Sequence, residues 1–137
     1  MAHPYGAPIS LENARKAAEP ALAEARKQGW SMAVAIVDIS GTLVYFEKMD
    51  DTQIGSTGVA ISKARSAARF KRPTKAFQDA LAAGGEGLRI LAPDGAVPVD
   101  GGLPLVSGGK IVGAIGLSGG TSAQDAQAAA AGVAALK

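Results

Sequence analysis

The amino-acid sequence predicts an α+β fold in which an antiparallel sheet has helices on both faces. The hydrophobic patterns follow the order helix, hairpin, two helices, hairpin, helix, which differs from the strand–helix alternation of a parallel fold. Two apolar segments, 32–38 and 110–117, each have one face of large and one face of small side chains, as expected for strands covered on both sides. The 137 residues, 47% of them hydrophobic, suffice for one core but not for two.

The first ten residues predict how the chain enters this domain. Residues 1–9 contain two prolines and no hydrophobic periodicity, which predicts an N-terminal arm before a single domain over 10–137. Ser10 is placed to cap a helix that Gly29 ends. Pro20 lies inside this helical pattern, where it removes a hydrogen-bond donor, so we expect a kink rather than two separate helices.

The central part of the chain predicts a hairpin followed by two helices. The strand 32–38 turns back into a strand over 42–48, and a polar connection leads to a helix that begins at Ser56 or Thr57 and ends near Lys71. A shorter helix over about 74–82 follows Pro73. Since 32–38 shows the same division into large and small faces as 110–117, we expect the two strands to be neighbours.

The last third contains the clearest hairpin. After a glycine-punctuated loop over 84–95, Gly108 and Gly109 separate two apolar runs and accept the positive φ angles of a tight turn. Ser122 and Asp125 form a capping pair for a final helix over about 123–136, which is rich in alanine. We expect this helix to cover the small face of the 110–117 strand, because both surfaces allow close approach.

Positive charge is concentrated in one run. The net charge is only +2, but residues 63–75, here called the basic run, contain six basic and no acidic residues: Lys63, Arg65, Arg69, Lys71, Arg72 and Lys75. Such a run suits an anionic small molecule or an acidic partner surface, and it also suits a solvated helix face. The run is not accompanied by a series of aromatic residues for base stacking or by a recognised nucleic-acid-binding motif, so we do not expect nucleic acid as a partner.

Two long motifs carry a family resemblance. The segments KARSAARFKRPTKAF and GGLPLVSGGKIVGAIGLSGGTSAQDAQ resemble the GlcG/HbpS family (domain of unknown function 336), and the resemblance extends from about Ser10 to Leu136. It implies a profilin-like domain with a five-stranded antiparallel sheet between helix layers. Members of this family differ in role, from haem binding to a lyase that acts on hydroxylaminobenzoate, so the resemblance leaves the function open.

We predict a small-molecule-binding protein for a planar anionic ligand, such as haem or another tetrapyrrole. The alternative is a cofactor-free, metal-independent lyase that releases ammonia from a hydroxylamino aromatic acid; a third class is an assembly subunit without a ligand. In the binding hypothesis, haem is a ligand rather than a required cofactor. The predicted ligand-binding residues are Lys63, Arg69, Arg72 and Tyr45.

For the lyase, Glu86 and Asp38 are the predicted catalytic acid and base. We do not expect a metal site: the chain has no cysteine and one histidine, His3, which lies in the expected arm and is not among the predicted site residues. No apolar run is long enough for a membrane span and no export signal is visible, so we expect a cytoplasmic protein. The alanines of the second helix, together with the family resemblance, predict a homo-oligomer, a dimer or larger.

Overall fold

Four α-helices and four strands form the part of the chain that the computed structural model describes, residues 3–136. In chain order they are α1 (Leu11–Gln28), β1 (Ala33–Asp38), β2 (Leu43–Lys48), α2 (Ser56–Phe70), α3 (Thr74–Ala83), β3 (Gly102–Ser107), β4 (Lys110–Ser118) and α4 (Ser122–Ala134). A short 3-10 helix, Gly85–Leu91, follows α3. None of the helices within these residues combines the length and the apolar character needed to cross a membrane.

The strands form one antiparallel sheet in the order β2-β1-β4-β3. The predicted neighbours are confirmed, because β1 pairs with β4 so that Ile36 faces Ile115 and Ala35 faces Gly116. The five strands expected from the family resemblance are wrong for this chain: the described sheet has four. Outside these strands, Tyr5 forms an isolated parallel bridge with Ile111 of β4.

The N-terminal segment lies against β4 beyond the end of β1. The Gly6 amide donates to the Ile111 carbonyl and the Ile111 amide donates to the Pro4 carbonyl, both at 2.8 Å. The Ile9 amide donates to the Val112 carbonyl, and the Ile9 side chain is buried in the core. Proline has no N–H, so Pro4 and Pro8 prevent this segment from continuing as a regular strand.

The two faces of the sheet are covered by different helices. The small face packs against α2, whose Ala60, Ala64, Ala67 and Ala68 are fully buried. The prediction that the last helix covers this face is wrong: α4 lies with α1 on the large face, where Gly132 packs against Ala17 and Ile115. Both α2 and α4 are rich in alanine, so composition does not distinguish between them.

The helix ends follow local hydrogen bonding. The Ser10 hydroxyl accepts from the Asn13 amide at 3.1 Å, and α1 continues through Pro20 as one helix to Gly29, which adopts the left-handed conformation. The predicted Ser122 cap of α4 is wrong by one residue. The Thr121 hydroxyl accepts from the Gln124 amide and the Gln124 side chain accepts from the Thr121 amide, which leaves Asp125 free for another contact.

Candidate functional site

The basic run does not form one free surface, and its first member points inward. The Lys63 ammonium donates to Asp125 Oδ2 at 2.8 Å and to the Leu117 carbonyl at 3.0 Å. Its side chain is 1% exposed. The charge of Lys63 is thus already paired inside the protein, and its predicted role as a ligand contact stays a prediction.

The Lys63–Asp125 pair joins the two helix layers, since Lys63 belongs to α2 and Asp125 to the first turn of α4. Asp125 Oδ1 also accepts from the Gly120 amide at 3.0 Å. Burial raises the pKa of Asp125 above its ordinary value, although the Lys63 ammonium and the Gly120 amide oppose this. Charge counting along the sequence gave no signal for this pair, whose members are 62 residues apart.

Two arginines of the run hold the turn between β1 and β2. Arg65 Nε donates to the Gly41 carbonyl at 3.0 Å, and Arg69 Nε donates to the Ser40 carbonyl at 3.1 Å. Gly41 has a positive φ of 87°, and a Cβ there would lie 2.7 Å from Arg69 Nε. The guanidinium of Arg69 thus lies directly on the turn, and its predicted role as a ligand contact stays a prediction.

The last part of the run makes local contacts. Arg72 Nε donates to the Phe70 carbonyl at 2.9 Å, and its guanidinium lies 5.6 Å from the centre of the Phe77 ring. Lys75 pairs with Asp79 on the surface of α3. The ligand-binding role predicted for Arg72 also stays a prediction.

The two predicted catalytic carboxylates lie on different elements. Asp38 Oδ1 accepts from the Ser40 amide, the Ser40 hydroxyl and the Thr42 amide, at 2.9, 2.6 and 3.1 Å. Partial burial raises the pKa of Asp38, but these hydrogen bonds outweigh it and bring the pKa below its ordinary value. Glu86 pairs with Arg89 at 3.0 Å, and its side chain is 85% exposed. The lyase hypothesis built on these residues stays a prediction.

An apolar cavity of about 310 Å³ lies along the edge strand β3, between the ends of α2 and α4. We refer to it as the β3 pocket. Its lining is mostly apolar and includes two residues that can carry charge: His3, Lys71, Pro73, Leu103, Pro104, Val106, Ile111 and Val133.

The N-terminal segment brings His3 to this pocket, which sequence reasoning missed. The Tyr5 hydroxyl donates to the Ala68 carbonyl at 2.5 Å, and the Lys71 ammonium lies 4.5 Å from the centre of the Tyr5 ring. Together with the Pro4–Ile111 hydrogen bond, these contacts fix the segment beside the end of α2. An irregular, proline-containing segment gives no periodic signal, so the one signal in the sequence was that His3 is the single histidine of the chain.

A second cavity, of about 230 Å³, lies between α1 and the opposite edge strand, β2. We refer to it as the α1–β2 cleft, and its lining is Arg15, Glu19, Leu22, Arg26, Tyr45 and Glu47. The Tyr45 hydroxyl donates to Glu47 Oε1 at 2.6 Å, and this hydrogen bond raises the pKa of Tyr45 above its ordinary value. The predicted residue Tyr45 thus faces a cavity, while Phe46 packs on the other face of the sheet against the α2 alanines.

Comparison with known proteins identifies the family. The family model for haem degrading protein HbpS-like matches residues 9–134, which is nearly the whole chain. The chain belongs to the HbpS-like family. The GlcG/HbpS resemblance noted in the sequence is thereby confirmed.

Similar curated proteins and solved structures agree with this assignment. The chain is 39% identical over 95 residues to protein GlcG of Escherichia coli K12, which covers 69% of each protein. A double mutant of Streptomyces reticuli HbpS superposes with a TM-score of 0.87 at 31% identity, over 96% of this chain and 89% of that one. The PduOC–haem complex superposes with a TM-score of 0.84 at 27% identity, over 95% and 96% of the two chains.

Proposed function

We propose that the protein binds a planar anionic molecule, with haem as the leading candidate, in the β3 pocket. The observation that carries this proposal is the position of His3, the only histidine of the chain, in the lining of an apolar cavity. Pockets for small molecules combine an apolar lining with a few convergent polar groups, and the β3 pocket has this composition.

The residues present fit the chemistry of a haem group. Leu103, Val106 and Val133 offer apolar surface for a porphyrin ring. The His3 imidazole is a common axial ligand of haem iron, and the Lys71 ammonium suits a propionate. Haem, when bound, would supply an iron centre for redox or oxygen chemistry. The role of this chain's residues is to hold the ring, ligate the iron and neutralise the carboxylate.

The relatives support the same ligand class. One structural neighbour is a complex of PduOC with haem, and the matching family is described as haem degrading. These descriptions apply to those proteins; for this chain they favour haem over other planar acids. A ligand without iron, such as protoporphyrin IX, would use the apolar lining and Lys71 but not His3.

The size of the pocket bears on the predicted oligomer. A volume of about 310 Å³ lies at the lower end of the range of roughly 300–1,000 Å³ typical of ligand pockets, so one chain would enclose only an edge of a tetrapyrrole. A second protomer could cover the remainder, and we retain the homo-oligomer as a proposal. The alanines of α2 no longer support it, because they are fully buried within a single chain. Light scattering checks it, since a lasting mass of 13.7 kDa in the presence of haem would contradict it.

A haem titration followed by absorption spectroscopy tests the binding proposal. We expect His3→Ala to change the Soret and visible bands of the complex, because it removes an iron ligand. Lys71→Gln should weaken binding of both haem and protoporphyrin IX. Lys16→Ala, whose partner is Glu12 on the exposed side of α1, serves as the control.

If the His3→Ala and Lys71→Gln variants bind haem with the affinity and spectrum of the unmodified protein, the β3 pocket is not the haem site. If the unmodified protein produces no Soret shift, haem is not its ligand.

A further inference from the structure

The α1–β2 cleft has a regular construction. Four of its lining residues lie at positions 15, 19, 22 and 26 of α1, a spacing that places them on one face of the helix. Tyr45 and Glu47 lie two residues apart on β2 and therefore on one face of the strand. The cleft is thus formed by one helix stripe facing one strand face.

The charged groups of the cleft balance but do not pair. Arg15 and Arg26 contribute two positive charges, and Glu19 and Glu47 contribute two negative charges. Among the ion pairs found within residues 3–136, none joins any two of these four side chains. On the same helix Lys16 and Glu12 do pair, at 3.8 Å, so the exposed setting does not by itself prevent pairing.

The bottom of the cleft is apolar and one of its charges is held in place. Leu22 is 2% exposed and belongs to the core, and the ring of Tyr45 packs against the same cluster. The hydrogen bond from the Tyr45 hydroxyl orients the Glu47 carboxylate. With a volume of about 230 Å³, the cleft is below the range of roughly 300–1,000 Å³ that suits drug-sized ligands, so its ligand must be small.

We propose that the α1–β2 cleft binds a small zwitterion of the amino-acid type. Its carboxylate would be bound by Arg15 or Arg26, since a guanidinium binds a carboxylate through two parallel hydrogen bonds. Its ammonium group would lie against Glu19 or Glu47, with the carbon chain over Leu22. A ligand with a single charge would leave one pair of like-charged side chains without a partner.

This site is separate from the proposed haem site. The cleft lies at β2 and the haem pocket at β3, which are the two opposite edge strands of the sheet. The inference therefore does not depend on haem binding, and either proposal can fail without the other.

Four probes with the same number of carbon atoms test the charge requirement. These are 2-aminobutanoate and 4-aminobutanoate, which carry both charges at different separations, and butanoate and butylammonium, which carry one each. We measure affinity by amide chemical-shift titration of the full-length protein. We expect at least one zwitterion to bind at least about tenfold more tightly than both single-charge probes, which corresponds to about 1.4 kcal/mol. If neither zwitterion exceeds them, or if no probe binds, the proposal is wrong.

Two variants locate the binding. The double changes Arg15→Gln with Arg26→Gln, and Glu19→Gln with Glu47→Gln, should each weaken binding of the preferred zwitterion by about tenfold, and shifts in the unmodified protein should map to α1 and β2. Lys16→Gln is the matched control, because it removes a charge from α1 outside the cleft. Thermal unfolding confirms that each variant is folded, and the haem titration should be unchanged. Unchanged zwitterion binding in both cleft variants would place the ligand elsewhere and overturn the proposal.

Discussion

The two faces of the sheet are packed in different ways, and the difference explains where ligands can bind. On the small face the α2 backbone comes so close that a side chain at Gly116 would collide with the Ala60 carbonyl oxygen. On the large face α1 and α4 rest on longer side chains such as Ile36, Ile115 and Leu117. Close backbone packing leaves no volume for a ligand. Both cavities accordingly lie outside the contact between α2 and the sheet, one at each edge strand.

A buried ion pair connects these two layers. Lys63 extends from α2 past the end of β4 to Asp125 of α4. The pair differs from the other ion pairs in residues 3–136, which join neighbours on a single helical segment at the surface. Its location predicts that it holds the layers in register, in addition to satisfying two buried charges.

The largest expected effect comes from breaking this connection. Lys63→Met leaves the Asp125 carboxylate buried without its partner, and breaking a buried pair typically lowers the free energy of unfolding by about 3–5 kcal/mol. Urea unfolding measures the change. Lys75→Met is the control, because the exposed Lys75–Asp79 pair should contribute no more than about 1 kcal/mol.

A double variant sharpens this prediction. Combining Lys63→Met with Asp125→Leu removes both charges, so the double variant should be more stable than the sum of the two single changes predicts. Strict additivity would show that the two side chains do not interact in solution.

The second prediction tests how tightly α2 approaches the small face. Gly116→Ala adds one methyl group against the Ala60 carbonyl and the Ala64 amide. Overpacking of this kind lowers the free energy of unfolding by about 1–3 kcal/mol. Gly58→Ala lies on the same helix with open space around it and a helical backbone, so it should stabilise the protein by about 0.4–1 kcal/mol. Equal melting temperatures for the two variants would mean that α2 does not rest on Gly116.

Sequence patterns predicted which strands pair better than they predicted which helix packs on each face of the sheet. The alternation of large and small residues in 32–38 and 110–117 identified β1 and β4 as neighbours, because the period of two is a direct consequence of strand geometry. It did not identify the helix on the small face. An alanine stripe shows that close approach is allowed, but α2 and α4 both carry one, and only the path of the chain decides between them.

The site was less predictable than the fold for a related reason. Charge counting grouped six residues of the basic run, whereas the fold sends them in different directions: Lys63 inward and Arg69 to a turn from α2, and Arg72, which follows the end of α2, to an aromatic ring. His3 was missed because its position depends on pairing between an irregular segment and β4. Tyr45 was predicted as a ligand-binding residue and lines the α1–β2 cleft, but its neighbours from α1 were not foreseen.

The third prediction concerns the contribution of Arg72, which follows the end of α2, to haem affinity. Arg72 stands between Lys71 and Pro73, which both line the β3 pocket, whereas Arg69 is held on the β1–β2 turn. Arg72→Ala should therefore weaken haem binding up to about fivefold, or about 1 kcal/mol, through loss of nearby positive charge. Arg69→Ala should resemble the Lys16→Ala control. If Arg69→Ala has the larger effect, the carboxylate of the ligand lies near the turn instead of the β3 pocket.

The smallest expected effect is on the pH dependence of the free energy of unfolding. It comes from the β1–β2 turn, to which Arg65 and Arg69 of α2 donate hydrogen bonds. The hydrogen bonds from Ser40 and Thr42 to Asp38 bring its folded-state pKa below the ordinary value of 3.8. A carboxyl group with a lowered pKa stabilises the fold above its unfolded pKa, and the contribution disappears as the pH falls through the folded pKa. Asp38→Asn should thus lower the free energy of unfolding at pH 7, and its difference from the unmodified protein should shrink below about pH 4. Urea unfolding at several pH values measures this, with Asp94→Asn on an exposed turn as the control. A difference that stays constant from pH 7 to pH 3 would show that ionised Asp38 does not hold the turn.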